Sequence, residues 1–286
     1  MKQASKTNLL AALLGIILLL LVLCLLCSVL LLILHLTVPS VPEDTGKGSL
    51  PEDTTPSSQP TITKPEELTL AETPDAGWSY LSRLIFYGES TTAHLSRNGG
   101  VLDGSDEERR MVWKDEDTGT FTLDDETINN LIHYHPKDGS AAVKITLSEA
   151  LQREQPEFLV LNIGINGLVY FHGHKAAYLR DYNALIDGIR KVSPGTKIIL
   201  QTIYPVGDNQ PFTDDKETAN AYIRTLNGWL SEIAAAHKDV RIADTASVLT
   251  DDAGNLLEEF DNGDGYHLTN AAYEEILLYL RRHAWQ

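Results

Sequence analysis

Two short segments near opposite ends of this chain hold the residues best suited to covalent chemistry. The first is Phe86-Tyr87-Gly88-Glu89-Ser90-Thr91-Thr92, a serine two residues after a glycine; the second is Asp264-Gly265-Tyr266-His267-Leu268-Thr269. A serine hydroxyl is a weak nucleophile until a neighbouring base removes its proton. An Asp three residues ahead of a His in a loop can turn its carboxylate onto Nδ1. That contact sets the tautomer and stabilises the imidazolium, leaving Nε2 to face a hydroxyl. A third segment, Leu161-Asn162-Ile163-Gly164-Ile165-Asn166-Gly167, offers the neutral Asn166 amide as a donor to a developing oxyanion. Together these types describe acyl transfer through a serine.

Each segment also has a plain structural use. Ser90 could be only the N-cap of a helix, Asp264 only a helix cap in a surface turn, and Asn166-Gly167 only a turn. Their placement favours chemistry: each falls at the carboxyl end of an expected strand or just before an expected helix. Open α/β sheets bind ligands at that edge, and helix starts there receive anions.

The positioning elements are legible from periodicity. Near-continuous apolar runs at Arg83–Tyr87, Phe158–Ile163, Lys197–Ile203 and Val240–Ile242 suit strands of a parallel sheet covered on both faces. Helical spacing places Tyr178, Tyr182, Leu185, Ile186 and Ile189 on one face, and Tyr273, Ile276, Leu277 and Leu280 on another, the latter helix opening after Thr269-Asn270. Further helices are expected over Glu217–His237 and Leu147–Glu154. Signals mix between Ser96 and Ala142, where an insertion is expected. The pattern predicts an α/β, three-layer sandwich with a central parallel sheet.

From about Trp78 to Gln286 the chain resembles the SGNH hydrolases, or GDSL-like lipases and esterases. The resemblance implies a flavodoxin-like three-layer fold and a catalytic triad of Ser90, Asp264 and His267. It further implies an oxyanion hole made by the Ser90 N–H, the Asn166 amide and one glycine N–H. Gly139, ahead of the helix leading into the Phe158 strand, is the preferred glycine; Gly119 in Thr118-Gly119-Thr120 is the second choice. Glu89 stands where the family usually has Asp, and Gly167 where it commonly has Asp. No cofactor and no metal are implied. The implied activity is a serine esterase acting on small acyl esters, acetyl foremost, of cell-wall or other extracellular carbohydrate. The alternatives are an O-acyltransferase on the same polymers and a non-catalytic glycan-binding module.

Composition narrows the setting. A formal net charge of -17 argues against a nucleic-acid partner. The only cysteines, Cys24 and Cys27, sit inside an apolar run, so the remainder has no disulfide framework. Leu23 and Leu26, where a small residue would be wanted, argue against lipoprotein processing. The pairs His133/His135 and His172/His174 have metal-ligand spacing but no matched carboxylate cluster; the second pair, like the Tyr204-Pro205-Val206 turn, is placed to line a cleft.

Residues 9–38 carry no charge, more than enough for a membrane-spanning helix and too long for a typical signal h-region. Lys2 and Lys6 precede the run and acidic residues follow it, which orients the N-terminus to the cytoplasm and the rest outside. The expected division is a cytoplasmic tail and anchor over 1–38, a disordered Pro/Thr/Ser/Glu-rich stalk over 39–77, and the hydrolase domain over 78–286.

Overall fold

The structure, a computed structural model, describes residues 65–286 except residue 98 and residues 116–119. The apolar run at 9–38, the stalk before residue 65 and Gly119 lie outside the described residues. Among the described residues no helix is long and apolar enough to cross a membrane.

Seven strands form one sheet: β1 (Leu84–Gly88), β2 (Val112–Asp115), β3 (Leu131–Tyr134), β4 (Val143–Thr146), β5 (Phe158–Asn162), β6 (Lys197–Gln201) and β7 (Val240–Ala243), in the order β4-β3-β2-β1-β5-β6-β7. The helices are α1 (Pro65–Leu68), α2 (Gly77–Leu81), α3 (Ser90–Ala93), α4 (Asp106–Arg110), α5 (Leu147–Glu154), α6 (Leu168–His172), α7 (Lys175–Val192), α8 (Lys216–Ala235) and α9 (Asn270–Arg282). β2, β1, β5, β6 and β7 run parallel, each pairing with its neighbour.

Alternate residues of each strand feed two cores. Leu159 and Leu161 of β5 pack with buried residues of α5, α7 and α8, whereas Phe158 and Val160 pack with those of α2 and α9. The sheet is therefore the middle of three layers. Its central strands are buried on both faces, which is why their sequences read as unbroken apolar runs rather than alternating ones.

Two expectations need correction. The sheet is mixed: β3 pairs antiparallel with both β2 and β4. Only residues 135–142 separate β3 from β4, too few for the crossover a parallel pair requires. β3 falls within the stretch where signals mixed and β4 directly follows it; each has four residues and is partly exposed.

The folded unit also begins earlier than residue 78. Thr69 bridges Ile242 of β7, and the Leu70 N–H donates to the Ile242 carbonyl at 2.8 Å. Leu68 is buried in one core and Leu70 in the other, so the chain wraps the β7 edge with a side chain on each face. Downstream, Asp75 pairs with Arg281. Two leucines in a polar stretch were enough to cover an open sheet edge, which otherwise presents unpaired backbone groups.

Candidate active site

Ser90 is placed by a tight exit from β1. Gly88 pairs in register with Asn162 of β5, and a Cβ at position 88 would lie 2.3 Å from both the Asn162 carbonyl oxygen and Thr92 Oγ1. Only glycine lets the two strand ends approach this closely. Glu89 is extended and N-caps α3, making Ser90 the first helical residue and not the cap; it is 7 % exposed.

His267 Nε2 lies 2.9 Å from Ser90 Oγ, and His267 Nδ1 lies 2.6 Å from Asp264 Oδ2. The other oxygen of Asp264 accepts the backbone N–H groups of Tyr266 and His267, at 3.2 and 2.9 Å. Both carboxylate oxygens are thus engaged, and the loop is closed on itself. Burial pushes the Asp264 carboxyl up, but the hydrogen bonds from the His267 ring and the two N–H groups together hold it below the ordinary aspartate value. Thr269 caps α9 by accepting from the Ala272 N–H, and Tyr273 in that helix donates its hydroxyl to the Thr91 carbonyl at 2.6 Å. This last bond fastens the helix after His267 onto the helix that begins at Ser90.

The Asn166 segment is brought to the same edge by Glu89. The Glu89 side chain is fully buried; Oε2 accepts the N–H groups of Gly164 and Ile165 at 2.9 and 2.7 Å, and Oε1 accepts that of Asn166 at 3.3 Å. Gly164 sits at φ +138°, a conformation that other residues rarely adopt. Burial pushes the Glu89 carboxyl up to about 8, against the pull of its three N–H donors. The residue before the nucleophile therefore anchors the loop that carries the candidate oxyanion donor. In this state the Asn166 amide donates to the Phe121 carbonyl at 2.8 Å.

Gly139 does not join the site. It is exposed in the β3–β4 turn at φ +76°, and its N–H donates to the Pro136 carbonyl. The expectation set Gly139 ahead of the helix that leads into β5; that helix, α5, is present, but β4 precedes it and makes Gly139 part of a hairpin turn. Of the His-x-His pairs, one separates, with His172 stacked on Tyr222 at 3.6 Å between centroids and His174 on Tyr170 at 4.4 Å, whereas His133 of β3 and His135 line one cavity together. Tyr204 packs into the core beside α9 rather than lining a cleft.

Two contributors escape the sequence. His94, four residues after Ser90, stacks on the His267 ring with centroids 4.3 Å apart. Burial first, then the nearby His267 and Arg97, push the His94 ring down to about 4. The i, i+4 spacing from the serine is the one hint of this contact. Asn162, at the end of an apolar strand, accepts from Thr91 Oγ1 at 3.2 Å and donates to the Thr202 carbonyl at 3.0 Å, knitting α3 to β5 and β6.

A mostly parallel α/β sheet with a serine, an imidazole and a carboxylate in line at its carboxyl edge defines a serine-hydrolase arrangement. The GDSL-like lipase/acylhydrolase family matches residues 86–275, a span that holds all of these groups. The chain belongs to that family and is an esterase of the SGNH type. Among solved structures it is similar to a carbohydrate esterase family 3 protein from Talaromyces cellulolyticus, at 16 % identity over 69 % of this chain and 93 % of that one, with a TM-score of 0.44. A Clostridium thermocellum family 3 carbohydrate esterase matches at 19 % identity over 70 % and 93 % of the two chains, with a TM-score of 0.43. A DUF4886 family protein from Bacteroides uniformis matches at 14 % identity over 70 % and 82 %, with a TM-score of 0.47. No match is found among curated proteins.

Proposed function

We propose that this esterase works outside the cell from a single membrane anchor, removing small acyl groups, acetyl foremost, from cell-wall or other extracellular carbohydrate. One contact carries the catalytic part of this reading: the 2.9 Å approach of His267 Nε2 to Ser90 Oγ, with His267 Nδ1 held by Asp264. His267 takes the hydroxyl proton as Ser90 Oγ bonds to the ester carbonyl carbon, and returns that proton to the departing alcohol oxygen. Water, deprotonated by the same ring, then cleaves the acyl-enzyme and regenerates the serine. Asp264 stabilises the imidazolium formed in each half-reaction.

The oxyanion falls to the Ser90 N–H at the start of α3 and to the Asn166 amide, whose position Glu89 sets. Gly139 is bonded elsewhere, and the second-choice glycine for the third donor, Gly119, lies outside the described residues. Support for the location comes from sequence: the charge-free run at 9–38, Lys2 and Lys6 before it, and acidic residues after it.

Acetate release from purified wall material by the full-length protein, set against its Ser90→Ala variant, tests the activity. Equal release by both would overturn it. Protease added to intact cells should liberate a fragment cut upstream of residue 65; complete protection would place the domain on the inner side.

A further inference from the structure

Although the chain carries a net charge of -17, basic side chains gather around one of its cavities. A cavity of about 410 Å³ is lined by Arg97, Arg109, Lys114, His133 and His135, with Asp103 the one carboxylate among its described lining residues. Four separate parts of the chain build it. Lys114 of β2 pairs in register with His133 of β3, and His135 follows that strand. Arg109 lies in the last turn of α4, and Arg97 follows the short turn His94–Ser96.

Two of the cations are held in place. Lys114 Nζ donates to the Ser96 carbonyl at 2.9 Å, and Arg109 donates to the Asp103 carbonyl at 2.8 Å and to the Asp106 carboxylate at 2.7 Å. Arg97 differs: it is half-buried, and its side chain has no hydrogen-bond or ion-pair partner among the described residues. Arg97 also lines a second cavity, of about 210 Å³, together with His94, Asn262 and Asn270. His94 is the residue stacked on His267. Among the described residues, Arg97 is therefore the one that lines both the basic cavity and the cavity bordered by His94.

Gathering cations in a concave site has an electrostatic cost that an arriving anion relieves, because the walls exclude water and focus the field. That field is felt at His135, where burial first, and then Lys114, Arg109 and His133, hold the ring below the ordinary imidazole value against the opposing pull of Asp106. A guanidinium presents paired N–H donors that match the two oxygens of a carboxylate or a phosphate.

We propose that this cavity is a subsite for an oxyanion borne by the substrate, a carboxylate or phosphate on the acylated carbohydrate, with Arg97 as its direct contact. The inference deepens the esterase reading and rests on it for the identity of the reacting group. The bond broken remains the acyl ester; the anion only orients the carbohydrate, so it adds no chemical step.

The test compares the full-length protein on three acetylated oligosaccharides: a neutral xylan fragment, an oligogalacturonate and a polyol-phosphate oligomer. The wild type should favour at least one anionic ester over the neutral one by about tenfold in kcat/KM, and the preference should shrink as salt is raised from about 50 to 500 mM. Arg97→Gln should lower the ratio of anionic to neutral kcat/KM about tenfold, chiefly through KM, and Arg97→Lys should recover part of it. The larger drop identifies the anion as carboxylate or phosphate.

No preference in the wild type, or an equal loss on all three esters, overturns the subsite. Calorimetry with deacetylated oligogalacturonate and with inorganic phosphate, on wild type, Ser90→Ala and Arg97→Gln, separates the two readings. Binding of either probe that survives Ser90→Ala and weakens about tenfold in Arg97→Gln upholds the subsite even if no ester is hydrolysed, in which case the esterase reading alone fails. Hydrolysis with no detectable binding of either probe sinks the subsite alone.

Discussion

Two carboxylates serve the same serine from different regions of the molecule, and their surroundings drive them in opposite directions. Asp264 sits in the loop before α9 with 45 % of its side chain exposed, in line with an imidazole, and its carboxyl is held low. Glu89 sits at the end of β1, fully buried among backbone N–H groups, and its carboxyl is pushed up to about 8. Both accept backbone N–H donors, so hydrogen-bond count does not separate them. The ring beside Asp264 and the depth of Glu89 do. One carboxylate is built to face charge that appears during reaction, the other to hold a loop still.

That contrast is broken most sharply by charge removal at Asp264. Asp264→Asn preserves the shape and lets Oδ1 keep its two N–H donors, yet it should lower kcat about 10⁴-fold, because a neutral amide neither stabilises imidazolium nor enforces the tautomer. Unfolding measured on the same variant should stay within about 1 kcal/mol of wild type, since the site is half exposed. A large stability loss there would erase the distinction between the two regions.

Next in size is the reverse pattern at Glu89. Glu89→Ala leaves two buried N–H groups, each worth about 1–3 kcal/mol, and the part-buried Asn166 N–H without this acceptor, so denaturant unfolding should report a loss of several kcal/mol. Glu89→Gln should be milder, costing about 1–3 kcal/mol, because an amide can still accept at one atom. A Glu89→Ala protein as stable as wild type would show that the loop does not depend on this side chain.

The pH dependence of stability sharpens the same comparison. A free Glu89 carboxyl loses its proton near 4.5, whereas the folded one keeps it to about 8. The unfolded chain is therefore favoured progressively as pH rises between those values, and stability should fall across that window. His94 works from the other side: its ring protonates near 6.5 when unfolded and only near 4 when folded, so stability should fall as pH drops from about 6.5 toward 4. Chemical unfolding at a series of pH values should show the alkaline slope lessened in Glu89→Gln and the acid slope lessened in His94→Phe. Unchanged slopes in both variants would remove these residues from the linkage.

The smallest expected effect lies at the clamp between the two regions. Tyr273→Phe deletes the hydrogen bond to the Thr91 carbonyl and should cost about 0.5–1.5 kcal/mol in thermal unfolding. Its kcat should fall by no more than about threefold; a loss near that of Asp264→Asn would mean that the α9–α3 bond sets the Ser90–His267 distance by itself.

Legibility followed burial. β1, β5, β6 and β7 are covered on both faces, so their apolar runs stand out, and α7, α8 and α9 carry a clean helical stripe. The β3–β4 hairpin is short and half exposed, so it carries little pattern, and misplacing it led directly to Gly139. Leu68 and Leu70 were read as stalk because two apolar residues in a polar stretch have no period; only the open edge of β7 gives them a use. Ser90, Asp264 and His267 were legible by type and local spacing, whereas His94 had no motif to mark it.

By itself, the order of residues determined which groups were available for chemistry and which segments had to be buried, because side-chain type and apolar periodicity are local properties. It determined the Asp264–His267 approach almost completely, since only Gly265 and Tyr266 separate the pair. Only the tertiary structure decided that Ser90 lies 2.9 Å from His267, that Glu89 holds the Asn166 loop, and that Arg97 borders both cavities. Those relations depend on strand register and helix docking across the whole sheet, where the free energy comes from packing distant segments together and leaves no trace in any short stretch of chain.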